Sequence, residues 1–209
     1  HEVLAVRFED IPSPRPVGPA GRRLPQARRA NRGRLHKYAR WVPAGELTPL
    51  HYMLVPIDRT ETHDVDVAWA RLLGYYIAEG SLAAGTLNFT CHADDAAVRE
   101  LPDLADWTST TITPKANSDA AVTVACFGVE LMRRVDAECG HPGPHKRVPM
   151  SIQHADAEAK LNFMAAWFNG DGWQDERGMH WSTHYQALAI DLQRLLASCD
   201  MPSSCVRID

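Results

Sequence analysis

The chain has 209 residues, of which 45% are hydrophobic, and its formal net charge is -4. That hydrophobic fraction is enough for a folded core and excludes a disordered chain. No apolar run reaches the roughly 18 residues of a membrane-spanning helix, and we expect no membrane partner. The five cysteines form no CxxC pair, and we therefore expect a reducing, cytoplasmic setting.

The charge is unevenly distributed along the chain. Residues 1–40 carry ten basic and three acidic residues, a balance of +7, whereas residues 41–209 have a balance of -11. No acidic residue lies between Ile11 and Gly45, and we call this proline- and glycine-rich stretch the basic arm. It could be a solvated loop, but its arginines favour the binding of a polyanion, because a guanidinium grips phosphate with two hydrogen bonds. The basic residues of the arm that we assign to this role are Arg22, Arg23, Arg28, Arg29, Arg32, Arg34, Lys37 and Arg40.

Hydrophobic periodicity predicts alternating helices and strands. In chain order they are strands at 1–8 and 50–57, a helix at 64–80, a strand at 86–92, a helix at 93–105, strands at 109–115 and 121–127, helices at 128–139 and 155–172, a strand at 179–183, a helix at 185–198 and a strand from 203. The segment WVPAGEL at 41–47 lies between the first two strands. A unit of helix, strand, strand, helix, strand, strand, helix begins twice, and the second copy is incomplete.

This order predicts an α+β protein with three parts. Residues 1–62 form a small β-rich segment, residues 63–150 the first αββαββα unit, and residues 151–209 the second. The two units are expected to be related by a pseudo-twofold axis within one monomer.

The predicted strands have one polar face each, with hardly any carboxylates. Such a face could be an ordinary solvent-facing surface, but a two-stranded ribbon also fits the major groove and can contact base edges. The candidate DNA-binding residues on the strands are Asn88, Thr90, His92, Thr111, Thr113, Lys115, His180, Ser182, His184 and Arg207.

Two predicted helices end with the same pattern. LLGYYIAEG at 72–80 and MAAWFNGDG at 164–172 each carry small residues four apart, then an acid, then glycine. Residues four apart share a helix face, so small ones let two backbones approach closely. These candidate interface residues are Gly74, Ala78, Ala166 and Gly170. Each acid precedes a glycine that can adopt a left-handed cap.

The acids of the two patterns, Glu79 and Asp171, are therefore predicted to meet at the C-terminal ends of paired helices. A carboxylate there is disfavoured by the helix dipole, and two together need a cation. Magnesium suits oxygen ligands and shares its shell with substrate phosphates. The pair therefore predicts a metal site for phosphodiester hydrolysis.

LLGYYIAEGS and FMAAWFNGDGW resemble the two LAGLIDADG motifs of a single-chain homing endonuclease of the intein-encoded kind. KRVP at 146–149 resembles the intein K-x-I-P block, and residues 182–208 resemble the block after the second motif. HEVLAV, WVPAGEL and LVPI resemble splicing-domain segments, which makes His1 a remnant of the splicing site. The nucleophilic first residue and the terminal His-Asn block of an intein are missing, so we expect no splicing.

The resemblance implies a double-strand DNA endonuclease with DNA-binding saddle sheets. Glu79 and Asp171 match the metal-binding catalytic acids, and Lys146 matches a basic residue that assists at the site. The metal would be Mg²⁺ or Mn²⁺, with Ca²⁺ as a substitute that does not support cleavage. Two alternatives stay open: a degenerate relative that binds DNA without cutting, and an RNA-splicing maturase.

Overall fold

The structure is a computed structural model. It describes residues 2–7, 37, 39–48, 51–53, 59–105, 108–116, 118, 120–176, 178–201 and 203. By its internal contacts the chain divides into two compact units, residues 1–56 and residues 57–209. Both predicted αββαββα copies lie within the second unit. No helix in these ranges is long and apolar enough to cross a membrane.

The first unit contains a three-stranded antiparallel sheet. Strands β1 (Glu2–Arg7), β2 (Arg40–Pro43) and β3 (His51–Met53) are arranged in the order β2-β1-β3. The segment predicted between the flanking strands supplies β2 and a 3₁₀ turn at Ala44–Glu46. Ala5 and Val42 are buried in this sheet. The strands predicted on both sides of the basic arm are thus present, although most of the arm lies outside the described residues.

The second unit contains two runs of helices and strands. The first comprises α1 (Val67–Glu79), β4 (Gly80–Ala83), β5 (Thr86–His92), α2 (Ala96–Leu104), β6 (Ser109–Pro114), β7 (Ala121–Phe127) and α3 (Val129–Cys139). After a short helix α4 (Met150–Gln153), the second comprises α5 (Ala157–Asp171), β8 (Gly172–Asp175), β9 (Gly178–Trp181) and α6 (Gln186–Ser198). The first copy has the predicted order αββαββα, but its first strand, β4, lies where no strand was predicted. The second copy is described as far as αββα.

Aspartate caps position the two motif helices. Asp66 accepts a hydrogen bond from Trp69 N at 3.0 Å, and Asp156 accepts one from Ala159 N at 2.8 Å. Each cap satisfies a backbone donor that the first helical turn leaves unpaired, which fixes where the helix begins. The predicted starts at 64 and 155 were therefore two to three residues too early.

The first run folds into a four-stranded antiparallel sheet in the order β4-β5-β7-β6. Alternation places Leu87, Phe89 and Cys91 of β5 on one face, where they are at most 4% exposed. Val124 and Cys126 are their cross-strand partners and belong to the same core. Helices cover this face, and the other face of the sheet carries the polar side chains.

In the second unit, sequence periodicity missed three short elements. Strands β4 and β8 have four residues each, and β8 (GWQD) has no apolar alternation. Helix α4 also has four residues, too few to show a helical period. The strand predicted at 179–183 ends at Trp181, so Ser182 and His184 lie in the connection to α6 and not on a strand face. Lys115 likewise lies one residue beyond β6.

Candidate active site

Helices α1 and α5 pack together more extensively than any other pair of elements. A β-carbon on Gly74 would lie 2.2 Å from Phe163 O and 2.9 Å from Ala166 Cβ. One on Gly170 would lie 2.5 Å from Ala78 Cβ. The earlier residue of α1, Gly74, contacts the earlier part of α5, and the later residue, Ala78, contacts Gly170 further along α5. The two helices therefore run parallel. Their C-terminal ends, and the acids there, therefore lie together.

Each acid is followed by a glycine that starts the next strand. Gly80 has φ -75° and Gly172 has φ -102° with ψ 158°, so both are extended. Neither glycine adopts the left-handed conformation that the sequence allows. Glycine is required because a side chain has no space. A β-carbon on Gly80 would lie 2.2 Å from Cδ2 of Tyr76, and one on Gly172 would lie 2.2 Å from Cδ2 of Phe168. The chain can turn directly from helix into strand over an aromatic ring because no side chain intervenes.

Glu79 and Asp171 lie in a partly buried, carboxylate-rich environment. The Cγ of Glu79 is 3.2 Å from the β-carbon position of Gly170, the residue before Asp171. The pKa of Glu79 is raised to about 7, mainly by burial and then by the charges of Asp171 and Asp95. The charge of Lys146 acts in the opposite direction. Burial also raises the pKa of Asp171, against the hydrogen bond from Trp167 and the charges of Lys146 and His184. The site therefore favours added positive charge.

Lys146 is buried beside these acids and caps α1. Its Nζ donates to Tyr76 O at 2.7 Å and to Ile77 O at 2.9 Å, carbonyls of the last turn of the helix. It also lies 4.8 Å from the centroid of the Tyr76 ring. Burial lowers the pKa of Lys146 to about 8, and the charges of Asp171, Cys139 and Glu79 oppose that shift. The ammonium thus lies where the helix dipole favours a cation.

The loop that carries Lys146 is held against α1 by further bonds. The Tyr76 hydroxyl donates to Gly140 O at 2.7 Å, and Arg147 N donates to Cys139 O at 2.8 Å. Gly140 has φ +80°, and a β-carbon there would lie 2.2 Å from His145 O. These contacts fix the loop, and with it the distance of Lys146 from Glu79.

Trp167 holds Asp171 in the corresponding position on α5. Its Nε1 donates to Asp171 Oδ2 at 3.2 Å across one helical turn. Asp171 O also accepts from Ser182 N at 3.3 Å, which brings the connection after β9 to the helix end. Sequence reasoning missed Trp167, although its spacing of four residues from Asp171 predicts a shared helix face.

The outer face of the four-stranded sheet carries four of the predicted strand residues, Asn88, Thr90, Thr111 and Thr113. Asn88 and Thr111 both have Ala125 as their Cα partner, and Thr90 and Thr113 both have Thr123. Cα partners point to the same side of an antiparallel sheet, so these polar side chains form rows across it. The four strands contain no Asp or Glu. His92 is exposed where β5 ends.

The remaining predicted DNA-binding residues are spread over the chain. Lys37 and Arg40 are exposed in the first unit. On the second hairpin, His180 Nε2 lies 2.9 Å from Asp175 Oδ1, so this strand face does include a carboxylate. Ser182 and His184 are exposed. The residues that fall outside the described ranges are His1, Arg22, Arg23, Arg28, Arg29, Arg32, Arg34 and Arg207.

Within the described ranges, no group of three or more His, Cys, Asp or Glu side chains is arranged to hold a metal ion. The candidate site provides two carboxylates, Glu79 and Asp171. Mg²⁺ is commonly held by one or two protein carboxylates, with water and substrate phosphate completing its shell. The donor set therefore fits a magnesium-type ion and not a fully enclosed structural metal.

No protein-family model matches the sequence, and no curated protein matches it. Among solved structures, the chain is similar to a doubly substituted I-DmoI in complex with its target DNA, nicked in one strand, with manganese. The identity is 12%, the TM-score is 0.47, and the match covers 63% of this chain and 75% of that one. It is also similar to I-DmoI in complex with DNA and manganese, at 13% identity and a TM-score of 0.42, covering 63% and 76% of the two chains.

Proposed function

We propose that this protein is a metal-dependent endonuclease that cuts both strands of duplex DNA at a specific site. The observation that carries the proposal is the convergence of Glu79 and Asp171 at one end of two parallel, glycine-packed helices. The strands that follow directly from Glu79 present a carboxylate-free polar surface. The two LAGLIDADG-like motifs in the sequence also predict that Glu79 and Asp171 lie together.

Glu79 and Asp171 would hold the divalent ion, Mg²⁺ or Mn²⁺. When bound, such an ion activates water for attack on a phosphodiester and stabilises the charge on the leaving oxygen. The raised pKa values of both acids support this assignment, because burial disfavours both carboxylates and the charge of Asp171 further disfavours that of Glu79.

The protein's own groups would orient the two carboxylates and contact the DNA. Trp167 fixes the carboxylate of Asp171 through its indole N–H, and Lys146 fixes the last turn of α1 that carries Glu79. The sheet surface that includes Asn88 and Thr111 would contact base edges, which provide specificity, whereas the basic arm would contact phosphates, which provide affinity. Such a molecule would act as a monomer, because both motif helices and both hairpins lie in one chain.

The intein context also belongs to this proposal. It rests on the resemblance of HEVLAV, WVPAGEL, LVPI and KRVP to intein blocks, with His1 as the splicing remnant. Residues 1–62 would then be a splicing-domain segment, and the DNA target would be the corresponding gene without the insertion.

Cleavage tests the proposal directly. The protein is incubated in Mg²⁺ with a randomised pool of duplexes, and cut ends are captured by ligation and sequenced. We expect one recurrent site, cut on both strands. Glu79→Gln and Asp171→Asn should each reduce the cleavage rate at that site by about a hundredfold or more, comparable with the loss of one preorganised charge-stabilising group. Glu158→Gln, an exposed carboxylate at the opposite end of α5, is the matched control and should cut normally.

Metal binding is measured separately from cleavage. Mg²⁺ at about 100 times its dissociation constant should raise the free energy of unfolding by about 2.7 kcal/mol, and Glu79→Gln should abolish that gain. Undiminished cleavage by both acid variants would sink the proposed site. Specific duplex binding with no cut in Mg²⁺ or Mn²⁺ would instead identify a DNA-binding protein, and preference for structured RNA a maturase.

A further inference from the structure

The hairpin of β8 and β9 presents a large aromatic side chain to solvent. Trp173 is 49% exposed, and its Cα partner across the hairpin is His180. The two rings are stacked, with centroids 5.1 Å apart and planes within 15° of each other. A flat aromatic pair thus covers one face of the hairpin.

This face points away from the helices. The neighbouring pair, Gly172 and Trp181, lies on the opposite face by strand alternation. There Trp181 packs edge-on against Phe168 of α5, with ring centroids 5.0 Å apart. Trp173 and His180 therefore lie on the side that corresponds to the polar outer face of the four-stranded sheet.

The pair is held in a fixed orientation. Asp175 Oδ1 lies 2.9 Å from His180 Nε2 and accepts from Gly178 N at 3.2 Å. Gly178 has φ +137° in the turn that closes the hairpin. The carboxylate thus fixes the turn and the imidazole, and the imidazole supports the indole. A rigid aromatic side chain loses little conformational entropy when it binds a partner.

The first hairpin carries different chemistry at the same place. When the two motifs are aligned in sequence on Gly80 and Gly172, Trp173 corresponds to Ser81 and His180 corresponds to Asn88. Ser81 and Asn88 are likewise Cα partners. One hairpin offers a hydroxyl and an amide, the other an apolar surface. The two halves of the bound DNA would therefore be recognised by different contacts.

We propose that the Trp173–His180 pair determines specificity for a thymine on the half-site beneath the second hairpin, with the indole against the thymine methyl group in the major groove. This inference rests on the proposed function. A two-stranded ribbon fits the major groove, and the thymine methyl is the apolar group that the base edges offer there. The hydrogen bond between His180 and Asp175 leaves the indole as the apolar surface of this face.

Deoxyuridine substitution tests the pair without altering the protein. Duplexes that the protein binds in Ca²⁺ are selected from a randomised pool, and each thymine of the selected site is replaced in turn by deoxyuridine. At one or two positions of one half-site we expect the Kd of the wild type to rise about fourfold, the equivalent of ~0.8 kcal/mol for a buried methyl group. Trp173→Ala should bind the parent site about tenfold more weakly and should not respond to the substitution.

Met179→Ala is the matched control, because Met179 is 55% exposed on the opposite face of the same hairpin. It should keep both the affinity and the uracil sensitivity of the wild type. Equal uracil profiles for wild type and Trp173→Ala, or a site without any sensitive thymine, would overturn the inference and leave the endonuclease proposal standing. If the wild type selects no duplex at all, both fail together.

Discussion

Glu79 carries a carboxyl group whose pKa is about 7, so near neutral pH its charge depends on what surrounds it. The largest cause is burial at the end of α1, followed by the negative charge of Asp171. A group in this state is poorly suited to stabilise the fold by itself. It is well suited to bind a cation, because a nearby positive charge favours the ionised carboxylate.

The raised pKa of Glu79 predicts how stability changes with pH in the absence of metal. Between the ordinary value of 4.5 and about 7, the folded protein holds a proton that the unfolded chain has released. The contribution of Glu79 to the free energy of unfolding therefore falls as the pH rises through this window. Urea unfolding in EDTA at pH 5 and pH 8 should show Glu79→Gln gaining stability relative to wild type at the higher pH. Glu158→Gln should follow the wild-type curve; parallel curves for Glu79→Gln would contradict the assigned environment.

Lys146 combines a structural contact with a position beside the acids. Its ammonium group donates to two carbonyls of α1 and is 9% exposed as a residue. We expect Lys146→Met to lower the free energy of unfolding by about 2 kcal/mol, because both charge-assisted bonds are removed. Affinity for Mg²⁺ should not fall, because the change removes a positive charge near the carboxylates.

Tyr76→Phe is the comparison for Lys146. It removes one hydrogen bond from the same loop, to Gly140 O, and should cost about 1 kcal/mol. Chemical denaturation and a magnesium titration measure both effects. If Lys146→Met kept full stability and lost only cleavage, the capping role would be wrong and a direct chemical role would take its place.

At the scale of the elements, the close approach of α1 and α5 depends on glycine. Helix propensity alone favours Gly74→Ala by about 1 kcal/mol. The new β-carbon, however, would lie 2.2 Å from a backbone oxygen that cannot move aside easily. We expect a net destabilisation of about 1–3 kcal/mol and weaker Mg²⁺ binding, because the helix ends would separate. The measurements are thermal unfolding and a metal titration.

Gly45→Ala provides the matched control for that substitution. A β-carbon on Gly45 has no atom within 4 Å, so we expect a change within about 0.5 kcal/mol. A stabilising effect of Gly74→Ala would mean that the two helices can separate without loss, which would contradict the packing on which the site depends.

For the whole molecule, the uneven charge predicts how DNA binding depends on salt. Replacing Arg28, Arg29, Arg32 and Arg34 with Ala should reduce the slope of log affinity against log salt by roughly 0.9 for each phosphate that the arm no longer neutralises. Base preference should be unchanged, since phosphates carry no sequence information. Binding isotherms at several salt concentrations measure the slope. The control is the double variant Arg133→Ala and Arg194→Ala, which changes two exposed helix residues and should leave the slope unchanged. An unaltered slope in the arm variant would mean that the arm does not contact phosphates.

Much of the fold could be predicted because its signals are local. The alternation of β5 and β7 and the spacing of apolar residues in α1 predicted most elements of the first αββαββα run. Strands β4 and β8 could not be found this way, since four residues do not show a period. Their existence depends on the glycines at 80 and 172, which let the chain turn over an aromatic ring that is close only in the folded state.

The sequence alone determined that two acids follow two small-residue helix faces, because spacing along a helix fixes which residues share a face. Only the tertiary structure decided that these helices run parallel, that Lys146 donates to helix carbonyls, and that an aromatic pair covers the second hairpin. Each of these depends on contacts between residues far apart in the chain. Lys146 and Tyr76 are separated by 70 positions, and no local pattern encodes a hydrogen bond over that distance.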